Sequence, residues 1–282
     1  MAKSRSIDHI VLAAGRLDDA ARRYEALGFT LTPRAQHDVR MGTSNRLAQF
    51  AGGNFIELLE ADRPEALDPH DFSASPPRFS FGAHNRGFAG RRNGISMLAL
   101  SGGDSRTEAA AFRAAGIETY EPFDFERMAT LPDGKLVTVA FSLAFATSPE
   151  MPQIAFFTCH HKSPQHFWKP AFQSHANGAR RIAAIYLVTE EPHRHQDFLT
   201  RLIGSLPESA GGGLRFRCGR DDLFVLSPSR LDGIAPGSHF DLGDGPQLAG
   251  FTVEVTEPAP PFTPASEACG AFIEWRRTKP LR

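Results

Sequence analysis

The chain reads as an α+β protein made of about four tandem βαβββ modules that close into two cupped sheets. Three observations predict this. A strand, helix and glycine recur in that order, the spacing from strand to glycine is nearly constant, and each helix is followed by further alternating strand runs. The first copy opens with a strand at Ile7, continues as an amphipathic helix over 17–27 and stops at Gly28; the second opens at Ile95, with a helix over 107–115 and Gly116. The third opens at Ile182, with a helix over 192–203 and Gly204. From strand Ile to glycine the separations are 21, 21 and 22 residues, and each glycine stands where a helix C-cap needs one. A fourth copy starts at Leu248, but Pro258, Pro260, Pro261 and Pro264 forbid a helix directly after it.

Alternating runs at 46–50 and 54–59 complete the first unit, and runs at 136–141 and 153–157 complete the second. A lone unit would leave one apolar sheet face uncovered, so units must associate, and sheets joined side by side can curl around a hollow lined by converging polar residues. Pro164, Pro170 and Gly178 break the periodicity within 162–181, which divides the chain into a first domain, 1–165, and a second, 166–282. The stretch 62–93, rich in Pro, Gly, Ser and His, is a long excursion between units one and two.

Composition narrows the function. With 31 basic and 32 acidic residues in 282, the chain lacks the clustered positive field that a nucleic-acid footprint requires. Its longest apolar run, 136–146, falls short of the roughly 20 residues of a membrane span. The start is basic but develops no signal-peptide core, so a cytoplasmic location is expected. Cys159, Cys218 and Cys269 are too dispersed for a disulfide framework or a zinc knuckle and read as small buried hydrophobes. Of 28 aromatic residues 23 are Phe, so apolar pockets should be lined by Phe. Neither a nucleophile elbow nor a phosphate loop is present, and His175, His193 and His195 read as surface residues.

Two motifs, Asp8-His9-Ile10-Val11-Leu12 and Phe55-Ile56-Glu57-Leu58-Leu59, resemble the vicinal oxygen chelate superfamily, which includes glyoxalase I, methylmalonyl-CoA epimerase, extradiol dioxygenases and bleomycin-resistance proteins. The chain is closer to its glyoxalase-like subfamily, where a His precedes a Gly-Thr-x-Asn motif; here these are His37 and Gly42-Thr43-Ser44-Asn45-Arg46. The likeness covers about residues 7–160 well and the third and fourth units by pattern alone. It implies the glyoxalase/dihydroxybiphenyl-dioxygenase-like fold.

The resemblance also implies a metal site drawn from four strand positions. His9 and Glu57 fill two of them, a pairing suited to Fe, Mn, Ni or Zn. The third falls at Ser96, a poor ligand, and the fourth near Cys159, His160 and His161. Strand alternation puts Cys159 and His161 on one face and His160 on the other without saying which is interior; His160 and His161 are preferred as pocket residues over Cys159 as a ligand. His37, Asn45, Arg46 and Trp168 complete the substrate-binding candidates, with Asn45 and Arg46 pointing to opposite sides. Without a metal, burial should raise the pKa of Glu57 and make it a general base.

The expected activity is that of a lyase or isomerase that polarises a small carbonyl or hydroxy compound with a divalent metal and stabilises an enolate, or a dioxygenase if iron is held. The alternative is a metal-free protein that sequesters a small molecule. A homodimer is the expected assembly. In the second half Tyr186 and Glu254 are the only polar candidates inside early strands, so that half is expected to be structural.

Overall fold

The computed structural model describes residues 4–130 and 136–278. Its elements are β1 (Ile7–Ala13), α1 (Leu17–Ala26), β2 (Ala35–Gln36), β3 (Ser44–Gln49), β4 (Phe55–Glu60), α2 (Phe81–Ala89), β5 (Gly94–Ser101), α3 (Ser105–Ala114), β6 (Glu118–Thr119), β7 (Phe123–Thr130), β8 (Leu136–Thr147), β9 (Ala155–His161) and α4 (Pro164–Phe167). They continue with β10 (Ala179–Val188), α5 (Gln196–Ile203), β11 (Glu208–Ala210), β12 (Gly213–Cys218), β13 (Asp221–Leu226), α6 (Pro228–Leu231), β14 (Gln247–Val255), β15 (Phe262–Thr263) and β16 (Phe272–Arg277). None of the described helices is long and apolar enough to cross a membrane.

The fold carries the repeat. Gly28, Gly116 and Gly204 follow α1, α3 and α5 with φ of 87°, 69° and 81°, the left-handed conformation that lets a chain leave a helix and re-enter a sheet. In each of the first three units the opening strand lies parallel to the unit's last strand, β1 with β4, β5 with β9 and β10 with β13, and β14 with β16 repeats this in the fourth. Units join through their opening strands, β1 antiparallel to β5 and β10 antiparallel to β14. The two halves meet where β5 pairs with β14 at Ile95 and Leu248.

Burial follows strand alternation. Ile10, Leu12, Ile56 and Leu98 face α1 and α3, and one apolar cluster on this helix side continues into the second half through Ile182, Leu199 and Leu202. The opposite faces fill two separate hollows. Val11, Phe55, Met97, Phe157 and Phe141 line the first, and Tyr186, Phe272 and Leu226 the second.

The excursion between units one and two supplies α2, whose Phe81 enters the first hollow. Ser80 caps it by accepting from the Ala83 N–H at 3.0 Å. Gly82 lies so close to the preceding chain that a Cβ there would stand 1.9 Å from the Met41 carbonyl oxygen. Gly82→Ala must therefore lift α2 from the cup, and a loss of about 1–3 kcal/mol is expected in urea unfolding.

Candidate functional site

The first hollow gathers most of the polar residues singled out from sequence. His9 lies on β1 with its ring stacked on Phe55 at 4.2 Å between centroids and edge-on to Phe157 at 5.3 Å. Glu57, on the adjacent β4, pairs in register with Val11, two residues along β1 from His9. His9 Nε2 stands 3.7 Å from Glu57 Oε2, both side chains about 5% exposed. The other carboxylate oxygen, Oε1, accepts a hydrogen bond from Asn45 Nδ2 at 2.6 Å and lies 3.1 Å from His37 Nε2. His37 Nδ1 meets the Thr43 hydroxyl at 2.8 Å. Asn45 Oδ1 is buried and has no partner among the described residues.

Asp8 completes the set, and strand alternation alone would place it on the wrong face. Ile7 pairs with Leu100 and His9 with Ala99, so β1 holds one extra residue between them. Such a bulge turns a side chain that would face the helices into the hollow beside its neighbour. Asp8 Oδ1 lies 2.6 Å from His9 Nδ1, and the carboxylate reaches His161 Nε2 at 3.1 Å. The result is a buried chain from His161 through Asp8, His9 and Glu57 to His37. With Asp8 holding the Nδ1 proton, His9 turns Nε2 toward Glu57 and the cavity.

These contacts set the carboxyl groups. Burial alone would raise Glu57, but the His37 hydrogen bond and charge, with those of His9 and Asn45, more than offset it, so its pKa lies below the usual value. The expected rise is therefore corrected: Glu57 is buried but not alone. Asp8 is likewise buried and held far down by His161 and His9. Burial, then Asp8 and Glu57, push the Cys159 thiol up. Arg127, on β7, lines the same cavity; burial pulls its pKa down while Glu57 raises it.

Two of the sequence candidates lie elsewhere. Arg46 turns to the helix side, donating to the Thr32 carbonyl at 2.9 Å and pairing with Glu25 of α1 at 2.8 Å. His160 shares the face of Phe156, which packs against Phe198 of α5 on the helix side, whereas Cys159 and His161 face the hollow. Trp168 covers one end, with its ring 5.8 Å from Phe55 and 5.9 Å from His161. His175 and His195 are buried rather than exposed: His175 Nε2 donates to the Gln49 carbonyl at 2.8 Å while Nδ1 accepts from the Thr30 N–H, and His195 meets the Thr189 hydroxyl.

The expected four-position metal site is not completed by these residues. The Ser96 hydroxyl lies 2.6 Å from Asn85 Oδ1 of α2, a contact that turns it into a fastening for that helix. At the fourth position Cys159 and His161 bring their ligand atoms into the hollow, and His160 does not. A different group has the right donors: Asp8, Cys159 and His161 bring one ligand atom each within 4.8 Å of one another, an O, S and N set suited to Zn.

The second hollow repeats the backbone without the chemistry. Its bulge between Ile182 and Ala184 repeats the one at Asp8, so Ala183 and Ala184 stand where Asp8 and His9 stand in the first, and Phe224, paired with Tyr186, replaces Glu57. Glu254 is tied to Arg181 at 2.6 Å; inside, Tyr186 and Thr252 both donate to Glu274, Tyr186 at 2.7 Å, and no sequence motif signalled Glu274.

The cavity at His9 and Glu57 has a volume of about 40 Å³, room for a few heavy atoms, and is walled largely by Phe. A larger open cleft of about 850 Å³, lined by Arg16, Arg23, Asp19 and Asp241 among others, shares no residue with it.

Paired βαβββ units around a hollow with His on the first strand and Glu on the last define a vicinal oxygen chelate protein. Within that superfamily the chain belongs to the family described as "Glyoxalase-like domain", whose profile matches residues 7–203. It is similar along almost its whole length to a hypothetical protein from Staphylococcus aureus, at 12% identity over 97% of this chain and 100% of that one with a TM-score of 0.72, which shows the shared fold of both halves. It is also similar to methylmalonyl-CoA epimerase of Streptomyces coelicolor in complex with 2-nitronate-propionyl-CoA (17% identity, 57% of this chain, 96% of that, TM-score 0.38). A further likeness is to a xylose isomerase-like TIM barrel/4-hydroxyphenylpyruvate dioxygenase fusion protein (16% identity, 90% of this chain, 37% of that, TM-score 0.47). No curated protein matches the chain.

Proposed function

We propose that the first cup is the active site of a lyase or isomerase that moves a proton at a carbon next to a carbonyl group. The observation that carries this is the buried chain Asp8, His9, Glu57, His37, which ends in a Phe-walled cavity. Glu57, ionised because its neighbours hold its pKa down, takes the proton from carbon as the electron pair moves onto the carbonyl oxygen. His9, oriented through Nδ1 by Asp8, presents Nε2 to that oxygen and stabilises its charge as it forms. The unpartnered Asn45 Oδ1 accepts from a substrate hydroxyl. Incubating the protein in D2O with small 2-oxo and 2-hydroxy carbonyl compounds and following loss of the α-proton signal by NMR tests the reading; absence of exchange across such a panel overturns it.

A sequestering role is the second reading, favoured by the small apolar cavity and by the use of Ser96 to fasten α2. It predicts thermal stabilisation by ligand without exchange.

For a divalent ion, Asp8, Cys159 and His161 are the residues we assign as ligands, and a bound ion would supply Lewis acidity beside His9. Added Zn²⁺ is expected to raise Tm of the wild type and of Glu57→Gln but not of Asp8→Asn or Cys159→Ser. Loss of the response in Glu57→Gln would instead assign the ion to the His9 and Glu57 pair.

A further inference from the structure

The inner cavity borders a second space. A groove of about 570 Å³ lies outside it, and Asn45, Leu47, Arg127 and Phe167 line both. Side by side they make a step, a small Phe-rich chamber within and a wider groove without, bordered by those four residues. The outer step is cationic: Arg34, Arg127 and Lys169 line it beside the imidazole of His166, and among the described residues no Asp or Glu does. These cations are not equivalent. Arg34 is already engaged, 2.9 Å from Asp62, 3.2 Å from Asp18 and 3.3 Å from Glu60. Lys169 makes no ion pair among the described residues, yet its backbone is fixed, because its N–H donates to Gln49 Oε1 at 3.2 Å. The same buried Gln49 holds the Phe167 carbonyl through Nε2 at 3.0 Å, so the turn carrying Lys169 is pinned to the cup wall. Arg127 stands at the step itself, with Glu57 on the inner side and the groove on the outer.

Cations gathered around a concave space without lining acids favour an anion, and a guanidinium at a neck binds an oxyanion through paired N–H donors. We propose that the substrate is a small organic oxyanion, a phosphate ester or carboxylate, whose anionic tail lies in the groove against Arg127 and Lys169 while its compact carbonyl head reaches Glu57 and His9. The position of the head rests on the proposed function; the binding of the tail does not. The length of the step also sets specificity, since the inner chamber admits only a few heavy atoms and the remainder must occupy the charged groove.

The test is a titration of the full chain at low ionic strength with pyrophosphate, succinate and, as a neutral control, acetamide. The readout is the fluorescence of Trp168, whose ring lies 5.0 Å from Phe167. Saturable binding of an oxyanion is expected, weakened about tenfold or more by Arg127→Gln and by Lys169→Gln, recovered in Lys169→Arg, and changed little by Arg34→Gln. Tighter binding of pyrophosphate assigns a phosphate tail, and tighter binding of succinate a carboxylate. Circular dichroism of each variant separates lost binding from lost fold. Glu57→Gln keeps the oxyanion response while losing proton exchange, so the two readings fail separately. Equal binding by wild type and by the folded Arg127→Gln and Lys169→Gln variants, or acetamide binding as tightly as either anion, overturns the proposal.

Discussion

Glu57→Gln is expected to lower proton exchange by about 10²–10⁴-fold while leaving the fold intact, the effect of removing a positioned general base. The side chain keeps its shape, and an amide can still bond to His37 and Asn45, so the cup wall remains held. What is lost is the lone pair that accepts the proton. Because Glu57 Oε1 is occupied by Asn45 at 2.6 Å and by His37 at 3.1 Å, Oε2 is the atom left to act, and it faces His9 Nε2 across 3.7 Å. His9→Ala should lower the rate by less than Glu57→Gln if Glu57 removes the proton from carbon and His9 only supports the oxygen. The measurement is the exchange rate by NMR for both variants with one substrate. A larger loss in His9→Ala would reverse the two roles.

The fold was legible because its signals are local. A helix needs its stop, and Gly28, Gly116 and Gly204 mark three stops at nearly equal distance from three strand starts, which is the repeat itself. His9 and Glu57 were legible for a similar reason: each lies on a strand whose apolar neighbours define the opposite face. Asp8 was not. Alternation assigns it to the helix side with Ile10, and only the extra residue in the β1–β5 pairing, a property of two strands together, turns it inward. Its adjacency to His9 was in plain view, but no single-strand rule predicts the turn.

His160 and Arg46 show the same limit. Each is one position from a residue that does face the cup, and period-two patterning cannot choose between neighbours without knowing which face is interior. Arg127 was invisible for a different reason: it reaches the cavity from β7, in the second unit, and becomes a neighbour of Glu57 only when the two sheets curl toward each other. The pKa of Glu57 was misjudged because burial can be inferred from an apolar run, whereas the imidazoles that offset it come from elsewhere in the chain.

That offset leads to the second large effect, in His37→Ala. In the wild type, burial raises the pKa of Glu57 and the His37 hydrogen bond and charge are the leading contributions that bring it below the ordinary value. Removing His37 leaves burial in place and takes away the two leading contributions that opposed it, so the Glu57 pKa must rise. As a base, Glu57 works above its pKa and fails as pH falls through it; the acidic limb of the exchange rate is therefore expected to move to higher pH in His37→Ala. The stability effect has the same origin. A depressed carboxyl pKa contributes stability that is present above the unfolded value of about 4.3 and lost as pH falls through the folded one. His37→Ala forfeits that contribution and leaves a buried carboxylate short of a partner, at a cost of about 3–5 kcal/mol at neutral pH. His37→Gln, which can hydrogen-bond but carries no charge, should place the limb between the two. A limb that stays at the wild-type pH in His37→Ala would show that Glu57 is not the group that titrates, and with it the assignment of the base would fall.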